Sequence, residues 1–106
     1  MDKTINLRIL TTQGLAFEGE VDELYVRTVA GPVGILKGHT PYLAALPEYG
    51  TLRFSYRSAN SYYVIKRGAL EVKGENVLVM SSEVIKADSE EHANNLILEM
   101  RGEVEQ

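Results

Sequence analysis

The stretch Thr51-Leu52-Arg53-Phe54-Ser55-Tyr56-Arg57 decides the fold class. Leu52, Phe54 and Tyr56 alternate with polar residues, and a β-strand points successive side chains to opposite faces, so these three line one face of a half-buried antiparallel strand. Arg57-Ser58-Ala59-Asn60-Ser61 then reads as a polar hairpin loop. Tyr62-Tyr63-Val64-Ile65-Lys66, rich in aromatic and β-branched residues, reads as the returning strand.

Working outward, further strands are expected at Ile5 to Leu10, Leu24 to Thr28, Ala69 to Val72 and Val77 to Met80, the last two joined by a tight turn at Lys73-Gly74-Glu75-Asn76. Shorter pieces fall at Leu15 to Phe17, around Gly34 to Leu36 and near Leu43 to Leu46. Eight of the nine glycines and all three prolines precede residue 75, which is the punctuation of many short strands. Clean alternation implies one wet and one buried face per sheet, so a β-sandwich is preferred over a small barrel. After Lys86 the pattern changes. Asp88 or Ser89 suits a helix N-cap, Glu90 and Glu91 suit its first turn, and Ala93, Leu96, Ile97 and Met100 recur at i, i+3, i+4 and i+7. One amphipathic helix is expected from about Ser89 to Arg101, with Gly102 as its C-cap and Glu103-Val104-Glu105-Gln106 fraying. Its apolar stripe needs a surface to sit against, because a lone helix of this length is marginal in water.

The 106 residues make one domain with a short appendage, and the apolar fraction of 44% with 25% charged residues is that of a globular protein. No apolar run approaches the roughly 18 residues of a membrane span, and the first residues lead into no signal-peptide core. The absence of cysteine excludes disulfides, thiolate metal sites and cysteine nucleophiles. A net charge of −4 argues against nucleic acid as a partner. That charge is unevenly placed: residues 1–82 carry nine Lys/Arg and eight Asp/Glu, whereas residues 83–106 carry two and seven. The acidic tail differs in kind from the nearly neutral body.

The chain offers little chemistry. The segment from Thr28 to Pro41 holds Gly31, Gly34, Gly38 and Lys37, but a phosphate loop needs Gly-Lys-Ser/Thr in that order, and here Lys37 precedes Gly38 and His39 follows it. His39 stands in no recognisable nucleophile setting. Glu18, Glu20, Asp22 and Glu23 lack the alternating pattern and central glycine of a calcium loop. Arg53, Arg57, Lys66 and Arg67 read as edge protection on the hairpin. The residues alone therefore give a binding or structural module, with no catalytic, cofactor-binding or metal site expected. A free-standing β-sandwich that binds carbohydrate or peptide is one such module, with Tyr62 and Tyr63 as its aromatic platform.

Read in order, several pieces carry a resemblance. They are Leu7 to Gly14, Phe17-Glu18-Gly19-Glu20-Val21, Gly34-Ile35-Leu36-Lys37-Gly38-His39-Thr40-Pro41-Tyr42-Leu43, Gly68-Ala69-Leu70-Glu71-Val72 and Asn76-Val77-Leu78-Val79-Met80. Together they closely resemble the epsilon subunit of F-type ATP synthases over about residues 5–88. The resemblance implies a ten-stranded β-sandwich of two antiparallel sheets over residues 1–87, and here one short C-terminal α-helix within residues 88–106. It implies a non-catalytic rotor role: epsilon joins gamma to the membrane-embedded c-ring and passes ion-driven rotation, through gamma, to the catalytic alpha/beta hexamer. Such a subunit lies peripherally at the cytoplasmic face of the cell membrane.

Position by position, Ala30, Gly31, Pro32 and Val33 resemble the loop that meets the c-ring, with Pro32 where a carboxylate is frequent. Thr11, His39 and Ala44 match positions that lie toward gamma. Family members commonly end in two helices that restrain hydrolysis, and some bind ATP at an Ile-Asp-x-x-Arg-Ala motif. The corresponding stretch here, Asp88 to Ala93, has His92 before the alanine in place of the arginine, and only 18 residues follow Asp88. The expectation is a subunit that couples rotation without tight ATP binding or an inhibitory extension.

Overall fold

A computed structural model describes residues 3–102. Eight strands precede one helix: β1 (Ile5–Thr11), β2 (Gly14–Val21), β3 (Glu23–Thr28), β4 (Gly31–Ile35), β5 (Tyr42–Leu46), β6 (Gly50–Tyr56), β7 (Ala59–Lys73), β8 (Asn76–Ala87) and α1 (Glu90–Met100). They form a single hydrogen-bonded sheet in the order β2-β1-β8-β7-β6-β3-β4, with β5 also paired to β7. The expectation of ten strands in two separate antiparallel sheets is therefore corrected. β7 and β8 are long enough to serve both layers, so the segments Tyr62–Lys66 and Ala69–Val72 belong to one strand and the ladder never breaks into two sheets. Nor is the pairing wholly antiparallel, because β1 runs parallel to β8 from Asn6↔Asn76 to Leu10↔Met80.

The bend that turns one sheet into a sandwich lies between Lys66↔Glu83 and Gly68↔Ser81. Arg67 (φ 52°) and Gly68 (φ 137°) both leave the extended region there. The half-buried polar groups at the bend are met by serines rather than by the ladder. Ser81 Oγ accepts from the Lys66 N–H at 2.8 Å and lies 2.8 Å from the carbonyl oxygens of Lys66 and Glu83, so its one proton serves either. Ser82 Oγ donates to the Lys66 carbonyl at 2.7 Å, and the Arg67 N–H reaches the Pro47 carbonyl at 2.9 Å. Ser81 is buried, as a polar residue is only when its bonds are made.

Past the bend, one layer consists of β6, β3 and β4 beside the first part of β7 and the last part of β8. The other consists of β5, β1 and β2 beside the remaining parts. Their inner faces close on one core. Ile5, Leu7 and Ile9 of β1 and Val77 and Val79 of β8 meet Leu24 and Val26 of β3 and Leu52 and Phe54 of β6. Phe17 of β2 reaches across to Phe54 with ring centroids 4.4 Å apart, and Tyr63 stacks on the same ring at 5.9 Å. The β6–β7 connection is tighter than the five-residue loop expected. Tyr56 pairs with Ala59, and Arg57 and Ser58 (φ 53° and 70°) form a two-residue turn. The side chain of Asp22 holds it by accepting from the Arg57 N–H at 2.7 Å.

Helix α1 packs on the outer face of the β6/β7/β8 layer, where Ala93 and Ile97 bury against Val64 and Ala87, flanked by Tyr49, Tyr62 and Ile85. Ser89 is the N-cap, its hydroxyl accepting from the His92 N–H at 3.0 Å, and His92 Nδ1 in turn accepts from the Asp88 N–H at 2.9 Å. Arg101 is the C-cap, with Gly102 one position later than expected of a cap residue. The fraying expected of Glu103 to Gln106 lies outside the described residues.

Three outcomes follow from this packing. Gly68→Ala forces a Cβ onto the Met80 carbonyl at a left-handed φ, so chemical denaturation should show a loss of roughly 3 kcal/mol or more. Ser89→Ala should cost about 1 kcal/mol and speed hydrogen exchange at His92 without disturbing the core strands. Burial pushes the Tyr63 hydroxyl above its ordinary value of 10.0, so the unfolded chain releases this proton first. The stability linked to Tyr63 is complete below pH 10 and falls as pH rises above it, and Tyr63→Phe should flatten that decline in unfolding curves.

Candidate functional site

The two outer faces of the sandwich differ. One is covered by α1, and the other has nothing packed on it among the described residues. On the uncovered face, pairing sets one row as Ala45↔Ala69↔Met80↔Leu10↔Leu15. A neighbouring row runs Leu43↔Glu71↔Leu78↔Arg8↔Glu18. The alternation that buries Leu70, Val72, Val77, Val79, Leu7 and Ile9 inward sends these residues out. Leu43 is 73% exposed, Leu15 53% and Met80 41%. Leu36, in the loop before β5, is exposed as well. Large apolar side chains gathered on one sheet face mark a protein-contact surface more than a solvated one. The charged residues of this face are mostly paired at its margins, Arg8 with Glu18 at 3.8 Å and Lys37 with Glu75 at 3.4 Å.

The residues expected to face gamma are spread along this layer. Ala44 pairs with Leu70 in the inward register, so β5 presents Leu43 and Ala45 outward instead. Thr11 ends β1 beside the bend, its hydroxyl donating to the Gly14 carbonyl at 3.2 Å and accepting from the Gln13 N–H at 3.0 Å. His39 lies at the opposite end, before β5, with Nδ1 2.7 Å from the Thr40 carbonyl and its ring edge-on to Tyr42 at 5.7 Å. Thr11 and His39 are not brought together, and the His39 N–H donates to the Leu36 carbonyl at 3.1 Å. Sequence reasoning missed Leu10, Leu15, Leu43 and Met80. The signal available was their register opposite to the buried set, but reading it requires knowing which strands pair.

Ala30, Gly31, Pro32 and Val33 form the β3–β4 hairpin, where Thr28 pairs with Gly31 and Arg27 with Pro32. The Thr28 hydroxyl fastens the turn, donating to the Gly31 carbonyl at 2.7 Å and accepting from the Ala30 N–H at 3.1 Å. Ala30 and Pro32 are exposed, whereas Val33 packs against the core. At the tip Val29 is 66% exposed and its N–H bonds to the Ala45 carbonyl at 2.9 Å. That bond ties the hairpin to the apolar face through β5.

Tyr62 and Tyr63 do not form an aromatic platform. Both are half-buried, Tyr62 beneath α1 and Tyr63 against the core. The more exposed Tyr25 and Tyr56 are capped by Arg53 and Arg57, at 4.4 and 5.1 Å from the ring centres. Among the described residues no group of three or more His, Asp or Glu is arranged to hold a metal ion, and no helix is long and apolar enough to cross a membrane.

Residues 4–87 match the family model described as ATP synthase, Delta/Epsilon chain, beta-sandwich domain. The chain is 37% identical over 82 residues to the ATP synthase epsilon chain of Caldanaerobacter subterraneus subsp. tengcongensis, covering 77% of this chain and 59% of that one. It is 36% identical over 87 residues to the ATP synthase epsilon chain of Ruminococcus albus, covering 79% and 62%. It thus spans about three fifths of the length of these relatives. In fold it is similar to a chain of the Euglena gracilis mitochondrial ATP synthase (OSCP/F1/c-ring, rotational state 1), with a TM-score of 0.76 at 21% identity, covering 94% of this chain and 64% of that one. A chain of the Tetrahymena thermophila mitochondrial ATP synthase central stalk/c-ring gives a TM-score of 0.67 at 9% identity, covering 92% and 90%. On the family match and these identities, the chain belongs to the ATP synthase delta/epsilon chain β-sandwich family.

Proposed function

We propose that this chain is a non-catalytic rotor component of an F-type ATP synthase, joining the gamma subunit to the c-ring so that ion-driven rotation reaches the catalytic alpha/beta hexamer through gamma. The observation that carries this reading is the uncovered apolar face of β5, β7, β8, β1 and β2, on a molecule whose other outer face is occupied by α1. Gamma docks on that face, centred on Leu43, Met80 and Leu15 and bordered by Thr11 and His39, with Ala44 behind it in the inward register of β5. The β3–β4 hairpin, with Ala30, Gly31, Pro32 and Val33, turns toward the loops of the c-ring. Its apolar tip favours contact by shape over charge.

A rotor part transmits torque by keeping its shape under load. A close-packed core of low compressibility supplies this, and the continuous β7–β8 pair carries force from one layer to the other without a joint. The body of residues 1–87 is the coupling element and residues 88–106 are the tail, whose helix α1 lies on the far side from gamma. Within the assembly the chain sits peripherally at the cytoplasmic face of the membrane. The carbohydrate- or peptide-binding reading is disfavoured by the arginine caps over Tyr25 and Tyr56.

Co-purification tests this. A tagged chain should retain gamma in stoichiometric amount, and Leu43→Gln, which removes the apolar group at a position 73% exposed and puts no charge opposite Glu71, should weaken retention at least about tenfold. A chain that stays monomeric in the presence of gamma would overturn the reading.

A further inference from the structure

Glu71 lies in the middle of the apolar face. It is the outward residue of β7 between Leu43 on β5 and Leu78 on β8, and it is half-buried. The other carboxylates of this face are engaged: Glu18 by Arg8 at 3.8 Å, Glu75 by Lys37 at 3.4 Å, and Glu20 by the Thr4 hydroxyl at 3.1 Å. Among the described residues no hydrogen bond or ion pair engages the Glu71 carboxylate, and Lys73, the next outward residue on β7, makes no pair with it.

A surface that covers Leu43, Leu78 and Met80 also removes the water around Glu71. An isolated carboxylate taken out of water is strongly unfavourable unless a cation and hydrogen-bond donors replace that water. Among the described residues no group is placed to do so, and the partner must bring one. We propose that the protein docking on this face presents an arginine at its centre, which pairs with Glu71 inside a ring of apolar contacts and fixes the rotational register of the two subunits. Arginine fits better than lysine. Its planar guanidinium offers two parallel N–H donors to a carboxylate and loses hydration more readily. Between the apolar side chains that flank it, one buried charge pair supplies the angular specificity that contact area alone does not. The inference rests on the reading of this face as the gamma-docking surface.

The test uses the full chain and the gamma subunit of the same enzyme, with affinity measured at low and high salt. Glu71→Gln should lose roughly 30-fold in affinity, with thermal unfolding unchanged because Glu71 has no partner among the described residues. Glu71→Lys should lose more. Glu99→Gln, on α1 at the opposite layer, should bind like the unmodified chain. Equal affinity of Glu71→Gln and the unmodified chain overturns the arginine pairing and leaves gamma docking standing. Failure of the unmodified chain to bind gamma overturns both.

Discussion

The structure depends on the bend at Arg67-Gly68 facing Ser81-Ser82. A long hairpin buries only one side of each strand, and it becomes a sandwich only if its two strands change direction together without losing their register. Gly68 permits the turn because any side chain there would meet the Met80 carbonyl. Ser81 and Ser82 satisfy the backbone groups that the ladder leaves open. Both layers then inherit their positions from β7 and β8: β6 and β5 pair with successive parts of β7, and β1 takes the outer edge of β8.

From that shared hairpin comes the asymmetry that gives the molecule two different outer faces. Val64 and Ala87 point outward beyond the bend and give α1 an apolar seat, while Met80, Leu78 and Ala69 point outward before it and have no cover among the described residues. The helix is short and capped by Ser89, so most of its stability comes from Ala93 and Ile97 against that seat. The exposed row is the counterpart of that seat, and covering its apolar side chains would be favourable.

The alternation at Leu52 and Phe54, the turn at Gly74 and the helix stripe from Ala93 to Met100 were legible because each depends on local periodicity, whereas Tyr56, expected on the same buried face, is exposed at the strand's end. The strand count was not. Gly68 reads as a break in any one-dimensional scan, whereas in the fold it is a bend inside a continuous strand, and the residues that continue the ladder, Ser81 to Ala87, carry weak strand character. The parallel β1–β8 pair escaped for a similar reason, since nothing in either segment states its neighbour. The surface was less legible: the motif resemblance singled out Thr11, His39 and Ala44, which lie scattered along one layer with Ala44 turned inward, and the outward row from Leu15 to Ala45 crosses five strands and exists only once their registers are known.

Hydrogen exchange of the full chain with and without gamma addresses the central claim most directly. The account predicts that binding slows exchange in the edge strands β2 and β5, including Leu15 and Leu43, while amides of α1 keep their free rates. Protection confined to α1 and the β6/β7/β8 face, with β2 and β5 unchanged, would contradict it.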